Sequence, residues 1–488
     1  MTVVAGDLVE HPEFGPGTVI DVLGASVTVD FYGEEIGCAV DDLEIKESFA
    51  PKVPNKAKSV SKDKIAFRRG FEAVNLGVVP PDSTSLVGMS IGGEGISSEV
   101  RFNLDNINTR GLCKVVFGNY GTGKSHYLHL VRAIAMQSGW VVSYLEFDPK
   151  AVDPAKPHLV YREVMAKLQF PEREDGSTTQ GFHGLIKEIR KKWAEMRDLP
   201  IFRKNPWFRH GIDALQFYPH NQEQEYVSAC NWLAGQPVLI TGAGSIRALA
   251  RGTNVNPRII PNMPKVRETG EIYVFHLVTI NEICQKLGYK GLLIIIDEAE
   301  HVRGYNVTRR AKANNFFDLL ARSAHLPFGD GAPTLNDHDY EFPRFWDNGP
   351  HFGLYVGLTE GNTFECAHDS LKDACVFLHD QEDRVTLDSP SREEYEEWCF
   401  KLLTNFHKHY PEKTELLFSP EDRQKITEAL GELFGENEES DLVIRIWVKL
   451  ACLVPSVILA QAVTSVDDII ETVQEVATEL TGGSMPWE

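Results

Sequence analysis

A chain of 488 residues, 42% hydrophobic and 24% charged, has the composition of an ordinary globular protein and the length for two to four domains. Its formal charge of −21 at pH 7 excludes a protein that coats nucleic acid over its whole surface, though not one with a local basic patch. The eight cysteines are scattered without a C-x-x-C pair, which argues against a disulfide framework or a zinc site and for a reducing cytoplasm. The start, with Met1 to Gly6 running directly into Asp7 and Glu10, does not read as a signal peptide. The longest apolar stretch, 446–463, contains Lys449 and Pro455 and reads as buried helix, so no membrane association is expected. His11, His183, His210 and His351 show no ligand spacing and are read as structural or surface residues.

Residues 1–47 alternate apolar and polar positions between glycine turns, as in Ser26-Val27-Thr28-Val29-Asp30-Phe31, which predicts a small all-β barrel of short antiparallel strands. The pattern His11-Pro12, Phe14-Gly15, Gly17 and Val19 resembles the Tudor-like modules of UvrD-type helicases and CarD-type RNA-polymerase-binding proteins. Such modules contact protein or nucleic acid. The acidic residues Asp7, Glu10, Glu13, Asp21, Asp30, Glu34 and Glu35 favour a protein partner here, and packing onto the rest of its own chain is the alternative. Residues 48–63, with Pro51, Pro54 and four lysines, have linker composition.

Residues 64–385 read as an α/β core. An apolar run (Leu112, Val115, Val116, Phe117) leads into Gly118-Asn119-Tyr120-Gly121-Thr122-Gly123-Lys124-Ser125, followed by His126 and a helical pattern. This is a complete phosphate loop in its strand–loop–helix context. Its glycines let backbone N–H groups surround phosphate oxygens, Lys124 is expected on the β- and γ-phosphates, and Ser125 on Mg²⁺. A glycine-rich turn that binds nothing is the alternative. The run Gly291 to Ile296 is apolar without alternation, reads as a strand buried on both faces, and ends in Asp297-Glu298. Asp297 is expected to order Mg²⁺ and Glu298 to polarise the attacking water, against the reading of a plain strand end. Together the two motifs predict binding of ATP with Mg²⁺, and hydrolysis.

Strand 141–147 follows the loop helix, as a βαβ unit requires. An insertion is expected around 170–280, with helices at 159–168 and 279–287; residues 237–245 read as a turn. In 187–209, Lys187, Arg190, Lys191, Lys192, Arg197, Arg203, Lys204 and Arg209 interleave with Trp193, Phe202, Trp207 and Phe208. This segment is a candidate DNA contact, with an amphipathic helix whose aromatics face the core as the favoured alternative. Thr359, ending the strand after the acidic one, is a candidate γ-phosphate sensor or a plain strand-end threonine. Beyond residue 386 the pattern is helical, with a capping box at Ser391–Glu394, a second cap at Ser419, and helices at 442–451 and 466–480. Residues 386–488 are therefore expected to form a helical lid. Arg445 within it is a candidate γ-phosphate ligand or a surface arginine.

Several phrases together resemble the ATP-binding proteins of BREX-type bacterial phage-defence loci: Phe67-Arg68-Arg69-Gly70-Phe71-Glu72-Ala73-Val74, the loop continued as Lys124-Ser125-His126, Ser143 to Phe147 with Leu159 to Val164, and Leu287 to Leu293 entering Asp297-Glu298. The proline that precedes the family's late arginine is missing before Arg445. The resemblance, over roughly 64–460, implies an AAA+-like P-loop ATPase with a helical lid behind the small barrel. It implies a homo-oligomer and ATP turnover coupled to assembly or remodelling on DNA; the Tudor-like front end departs from the family, and a defence-system protein partner is expected at 1–47 from the acidic barrel. Arg303, Arg309, Arg310 and Arg322 are candidates for an arginine acting on a neighbouring subunit. An ATP-gated scaffold with little turnover is the second reading. A translocating motor is disfavoured, since no helicase motif follows Glu298.

Overall fold

The computed structural model describes residues 8–23, 26–32, 34–47, 62–80, 83–118, 121–172, 179, 181–216, 223–235, 270–325, 350–359, 383–414, 419–436, 444–463 and 465–482. The chain divides into two units, Met1–Ile65 and Ala66–Glu488.

The first unit is an antiparallel sheet of β1 (Leu8–His11), β2 (Gly15–Leu23), β3 (Ser26–Phe31), β4 (Glu34–Ala39) and β5 (Glu44–Glu47), in the order β4-β3-β2-β1-β5. The alternation seen in the sequence turns Val9, Val19, Val27, Val29 and Phe31 into one small core. The expected barrel corresponds to this sheet, and among the described residues no ladder joins its end strands β4 and β5.

The boundary falls within the first turn of α1 (Lys62–Asn75), and the second unit continues with α2 (Ser83–Gly88), α3 (Gly93–Asp105) and α4 (Ile107–Arg110). Next come β6 (Cys113–Phe117), α5 (Lys124–Gln137), β7 (Val141–Glu146), α6 (Pro157–Ala166) and β8 (Leu168–Gln169). The region expected as an insertion supplies α7 (Gly181–Met196), α8 (Pro200–Lys204), α9 (Pro206–Gln216), α10 (Glu223–Leu233) and α11 (Gly270–Lys286). The turn expected at 237–245 lies outside the described residues. Then follow β9 (Leu292–Asp297), α12 (Val307–Ala324), β10 (Gly353–Leu358) and β11 (Arg384–Thr386). The chain closes with α13 (Arg392–His409), α14 (Pro411–Thr414), α15 (Pro420–Glu436), α16 (Ile444–Leu459) and α17 (Val466–Gly482).

The core is a six-stranded sheet in the order β11-β6-β10-β9-β7-β8, parallel except where β8 meets β7. Helices cover both faces. Leu292, Ile294 and Ile296 of β9 enter the core beneath α6, α7, α11 and α12, while Leu293 and Ile295 enter the core beneath α3 and α5. That two-sided burial is why β9 shows no polar alternation, and each such side chain contributes about 1.5–3 kcal/mol. Strand β10 inserts between β6 and β9, which brings the ends of all three strands to one edge of the sheet.

The C-terminal helices form a separate core, and α1 joins them. The positions Phe67, Phe71 and Val74 make one stripe on α1, which packs with Tyr395, Phe406 and Trp447. Phe67 stacks on His409 at 4.8 Å between ring centroids. Helix α1, read from sequence as leading the α/β core, therefore belongs to the lid. The expected caps are present: Ser391 and Glu394 exchange both bonds of a capping box, and Ser419 with Asp422 repeats the arrangement, as does Ser465 with Asp468.

The basic and aromatic segment resolves into α7, α8 and α9, and its rings point inward. Trp193, Phe202, Trp207 and Phe208 are all buried, Trp207 stacking on Trp232 at 4.0 Å and Trp193 meeting Phe202 edge-on at 4.9 Å. These rings cannot stack on bases, which corrects that part of the candidate DNA contact. Lys187, Lys191, Lys192, Arg197 and Arg203 remain exposed.

Beneath this layer lies His276, 1% exposed on α11, its Nδ1 within 3.1 Å of the Asn205 amide nitrogen and its ring stacked on Trp207. Burial lowers its pKa to about 3. A folded-state value below the unfolded one means that stability is complete above about pH 6.5 and is lost as pH falls, because only the unfolded chain takes up the proton. From pH 7.5 to pH 5 this histidine alone should remove about 2 kcal/mol. Urea unfolding at both pH values, compared between wild type and His276→Leu, should show that part of the pH dependence vanish in the variant.

Candidate active site

Strand β6 ends at Phe117, and the Gly118 N–H donates to the Leu358 carbonyl at 3.2 Å, tying the start of the loop to the end of β10. Asn119 and Tyr120 lie outside the described residues. Gly121 and Gly123 have φ of 85° and 92°, and Gly123 caps α5 without any side-chain bond. The left-handed conformation at Gly123 costs any other residue about 1–2 kcal/mol, and it leaves the first-turn N–H groups of α5 free of a side-chain cap. An anion placed there gains those donors and the positive end of the helix dipole.

Asp297, 1% exposed, is held by three donors: the Ser125 hydroxyl at 2.7 Å and the Tyr144 hydroxyl at 3.0 Å on Oδ2, and the Glu298 N–H at 2.9 Å on Oδ1. Gly357 on the neighbouring β10 makes room for this carboxylate, since a Cβ there would lie 2.8 Å from Oδ1 and 2.9 Å from Leu128. Ser125 and Asp297 thus offer two hard oxygens side by side. Among the described residues, no group of three or more His, Cys, Asp or Glu side chains could hold a metal by itself. That donor set fits Mg²⁺, which keeps several waters and completes its shell with phosphate oxygens.

Glu298 sits at φ 59°, ψ 31°, a left-handed conformation costing about 1–3 kcal/mol in a residue with a side chain. Its carboxyl is 44% exposed and lies 3.6 Å from His301 Nε2. Its pKa is raised, first by burial and then by the charges of Glu300 and Asp297, while Lys124 pulls the other way. A raised value makes it a better proton acceptor once ionised.

Lys124 is 7% exposed, and its ammonium donates to Thr359 Oγ1 at 2.6 Å and to Glu300 Oε1 at 3.0 Å. The His126 ring turns from the loop to Ser90, with Nε2 2.7 Å from Oγ. Its pKa is lowered to about 4, chiefly by burial. What His126 can offer an anion is its backbone N–H, while its side chain tethers the loop helix to the α2–α3 connection.

These groups open on one cleft of about 1090 Å³, lined by Gly121 to His126, Glu298, Glu300 and Thr359 and also by Val74, Met89, Ile444, Arg445 and Val448. Lys124, Ser125, Glu298, Thr359 and Arg445, far apart in sequence, therefore line one cleft, with Asp297 directly behind Ser125.

One of the arginines named as acting on a neighbouring subunit, Arg322, is buried in an ion pair of its own chain, which corrects that candidate, whereas Arg309 is bonded within the chain but stays partly exposed. Arg322 is 5% exposed in an ion pair with Asp318 at 2.7 Å. Arg309 bonds Asp153 at 3.0 Å and the Pro149 carbonyl at 2.6 Å, and lies over the Tyr305 ring at 3.7 Å. Arg310 donates to the Tyr305 carbonyl at 3.3 Å but is not buried, and the Arg303 side chain is outside the described part.

Glu300 and Tyr144 were not among the residues singled out from sequence. For Glu300 the signal was a third acid within four residues of the strand end. For Tyr144 it was a hydroxyl on the strand next to β9, in register with Ile295.

Residues 67–209 match the sequence model of a family described as BREX system ATP-binding protein BrxC/D. The matched part takes in the phosphate loop and most of α1, and is narrower than the 64–460 over which the sequence resemblance extends. No curated protein matches the chain. Among solved structures, the Walker-type ATPase PABY2304 of Pyrococcus abyssi is similar at 14% identity and a TM-score of 0.31, covering 80% of this chain and 73% of that one.

Tyr144 donates to a charged carboxylate, a bond worth about 1.5–3 kcal/mol, and it fixes the oxygen that also receives Ser125. Tyr144→Phe should raise the Mg²⁺ concentration needed for half-maximal nucleotide binding about tenfold, measured by titrating Mg²⁺ at fixed nucleotide. An unchanged Mg²⁺ requirement contradicts this.

Proposed function

We propose that the chain is an ATP-binding P-loop ATPase of a bacterial phage-defence system, acting in the cytoplasm with Mg²⁺. The observation that carries this reading is the convergence of Lys124 and Ser125 on one cleft, with Asp297 bonded directly behind Ser125 and Gly121 and Gly123 in left-handed conformations beside them. The family match over 67–209 supports the ATP and defence parts. Free, buried cysteines among the described residues agree with a reducing compartment. No helix of the described residues is long and apolar enough to cross a membrane.

In this reading Gly121 to His126 bind the phosphates through backbone N–H groups, with Gly118, Asn119 and Tyr120 completing the loop. Lys124, Thr359 and Arg445 hold the γ-phosphate. Ser125 and Asp297 hold Mg²⁺, which when bound neutralises charge on the phosphate oxygens. Glu298 orients the attacking water and accepts its proton. The apolar lining of Val74, Met89, Ile444 and Val448 suits a base, and because these residues belong to or pack on the hydrophobic core of the lid, nucleotide binding would draw lid and core together. We further propose a homo-oligomer in which Arg303, Arg309 or Arg310 reaches a neighbouring site, with turnover coupled to assembly or remodelling on DNA. The exposed bases of α7 and α8 are the DNA candidates. The N-terminal sheet is assigned to a protein partner, a reading supported by its exposed Phe14, Ile20 and Tyr32 beside Glu10 and Glu13.

One observation favours the alternative of an ATP-gated scaffold: Glu300 already occupies the Lys124 ammonium. Steady-state hydrolysis by wild type and Glu298→Gln, each with and without duplex DNA, separates the two. The ATPase reading expects turnover that the substitution lowers by about 10²–10⁴-fold while ATP still binds. Tight binding with negligible turnover in every condition would establish the scaffold, and stimulation by DNA decides whether DNA is a partner.

A further inference from the structure

We infer that Glu300 is a positioning residue that competes with a terminal phosphate for Lys124 and Thr359, and so sets how strongly this site distinguishes ATP from ADP. The inference rests on the ATP site proposed above.

Glu300 belongs to the 3₁₀ turn Ala299–Gly304 that follows β9, and its side chain is 8% exposed. Three polar groups close on one another here. The Lys124 ammonium donates to Glu300 Oε1 at 3.0 Å and to Thr359 Oγ1 at 2.6 Å, and the Thr359 hydroxyl donates its proton to the same Oε1. The hydroxyl has one proton and it goes to Glu300; the ammonium has three, and two are committed. The second oxygen of the carboxylate, Oε2, is buried with no hydrogen-bond partner. Glu300 thus depends on Lys124 and Thr359 for its neutralisation, and both of them line the cleft beside it.

A diphosphate can be served by the N–H groups of the loop and by the one ammonium proton still free. A γ-phosphate needs the ammonium and the Thr359 hydroxyl themselves. Giving them up leaves Glu300 as a buried anion, with one oxygen already unpartnered, facing a second anion across the cleft. Leaving a buried charge without its partner is costly, and here that cost falls on the triphosphate and largely spares the diphosphate. Glu300 therefore weakens ATP relative to ADP, and ties release of the Ala299–Gly304 turn, with Glu298 at its N-cap, to arrival of the third phosphate.

The test uses the full chain with Mg²⁺ and two probes, a non-hydrolysable ATP analogue and ADP, titrated by calorimetry. Glu300→Gln keeps the shape and the Oε1 acceptor but removes the charge. It should tighten the ATP analogue about tenfold and ADP by less than about threefold. Equal shifts for the two nucleotides, or none, would overturn the inference. A readout on wild type stands beside it should the variant not fold: hydrogen exchange at residues 299–304 should rise with the ATP analogue relative to ADP, and equal exchange would overturn it as well. Wild type that binds neither nucleotide removes the proposed site and this inference with it, whereas binding with an unaltered ratio in the variant removes the inference alone.

Discussion

A lysine ammonium with 7% exposure at the edge of an apolar sheet has to be neutralised, and the site is organised around how that is done. Lys124 cannot retreat to solvent, because it opens the helix that packs most of its length against β6, β7, β9 and β10. Its partners must come from the ends of the neighbouring strands. Threading β10 between β6 and β9 supplies Thr359 from one neighbour, and the turn after β9 supplies Glu300. The same insertion places Gly357 against Asp297, where nothing larger than hydrogen fits. Strand order, a glycine in a buried strand and a left-handed glutamate all follow from seating one cation and its anions at one edge.

The lid obeys a second constraint. Helix α1 carries Phe67, Phe71 and Val74 on one stripe, and that stripe finds its match among the C-terminal helices rather than on the sheet. The chain therefore enters the lid, builds the α/β core, and returns to the lid. Two covalent connections then link the two cores on opposite sides of the cleft: residues 76–92, leaving α1, and residues 387–391, leaving β11. Both contribute to the cleft wall. A ligand that touches both walls contacts both hydrophobic cores through a few residues of chain, which gives nucleotide binding a route to the lid.

Much of this was legible in the sequence, and the reasons are specific. The phosphate loop could be recognised because its glycines and its Lys-Ser ending sit between a strand and a helix. The acidic strand could be recognised because burial on both faces removes polar alternation from Leu292 to Ile296. Thr359 and Arg445 reach the cleft as their positions suggested. Other features lay beyond a linear reading. Helix α11 is buried on nearly every side, so only its last turns, near 279–287, carried a helical pattern, and its start at Gly270 left no periodic signal. The basic and aromatic run 187–209 has the composition of a nucleic-acid contact, but composition does not say which way a ring points. Three successive helices turn all four of its singled-out aromatics inward. Arg309 and Arg322 looked free because Asp153 is distant in sequence, and because the i, i+4 pair with Asp318 resembles an exposed helix pair until burial is known.

Glu298 and Glu300 show why the residues after an acidic strand have to be read in three dimensions. They stand two apart on one turn, yet their surroundings set them to different tasks. Glu298 is half open to the cleft, in a backbone conformation that a side chain tolerates only at a cost, with its proton affinity raised by burial and by two neighbouring carboxylates. That environment agrees with the proton-accepting role proposed for it. Glu300 is buried and tied to a lysine and a threonine, an environment that suits an anion whose charge is used as a counterweight. The left-handed residue between β9 and the turn separates the two roles. That residue is Glu298 itself, the N-cap of the turn, while Glu300 inside the turn takes the hydrogen bond from the Lys124 ammonium.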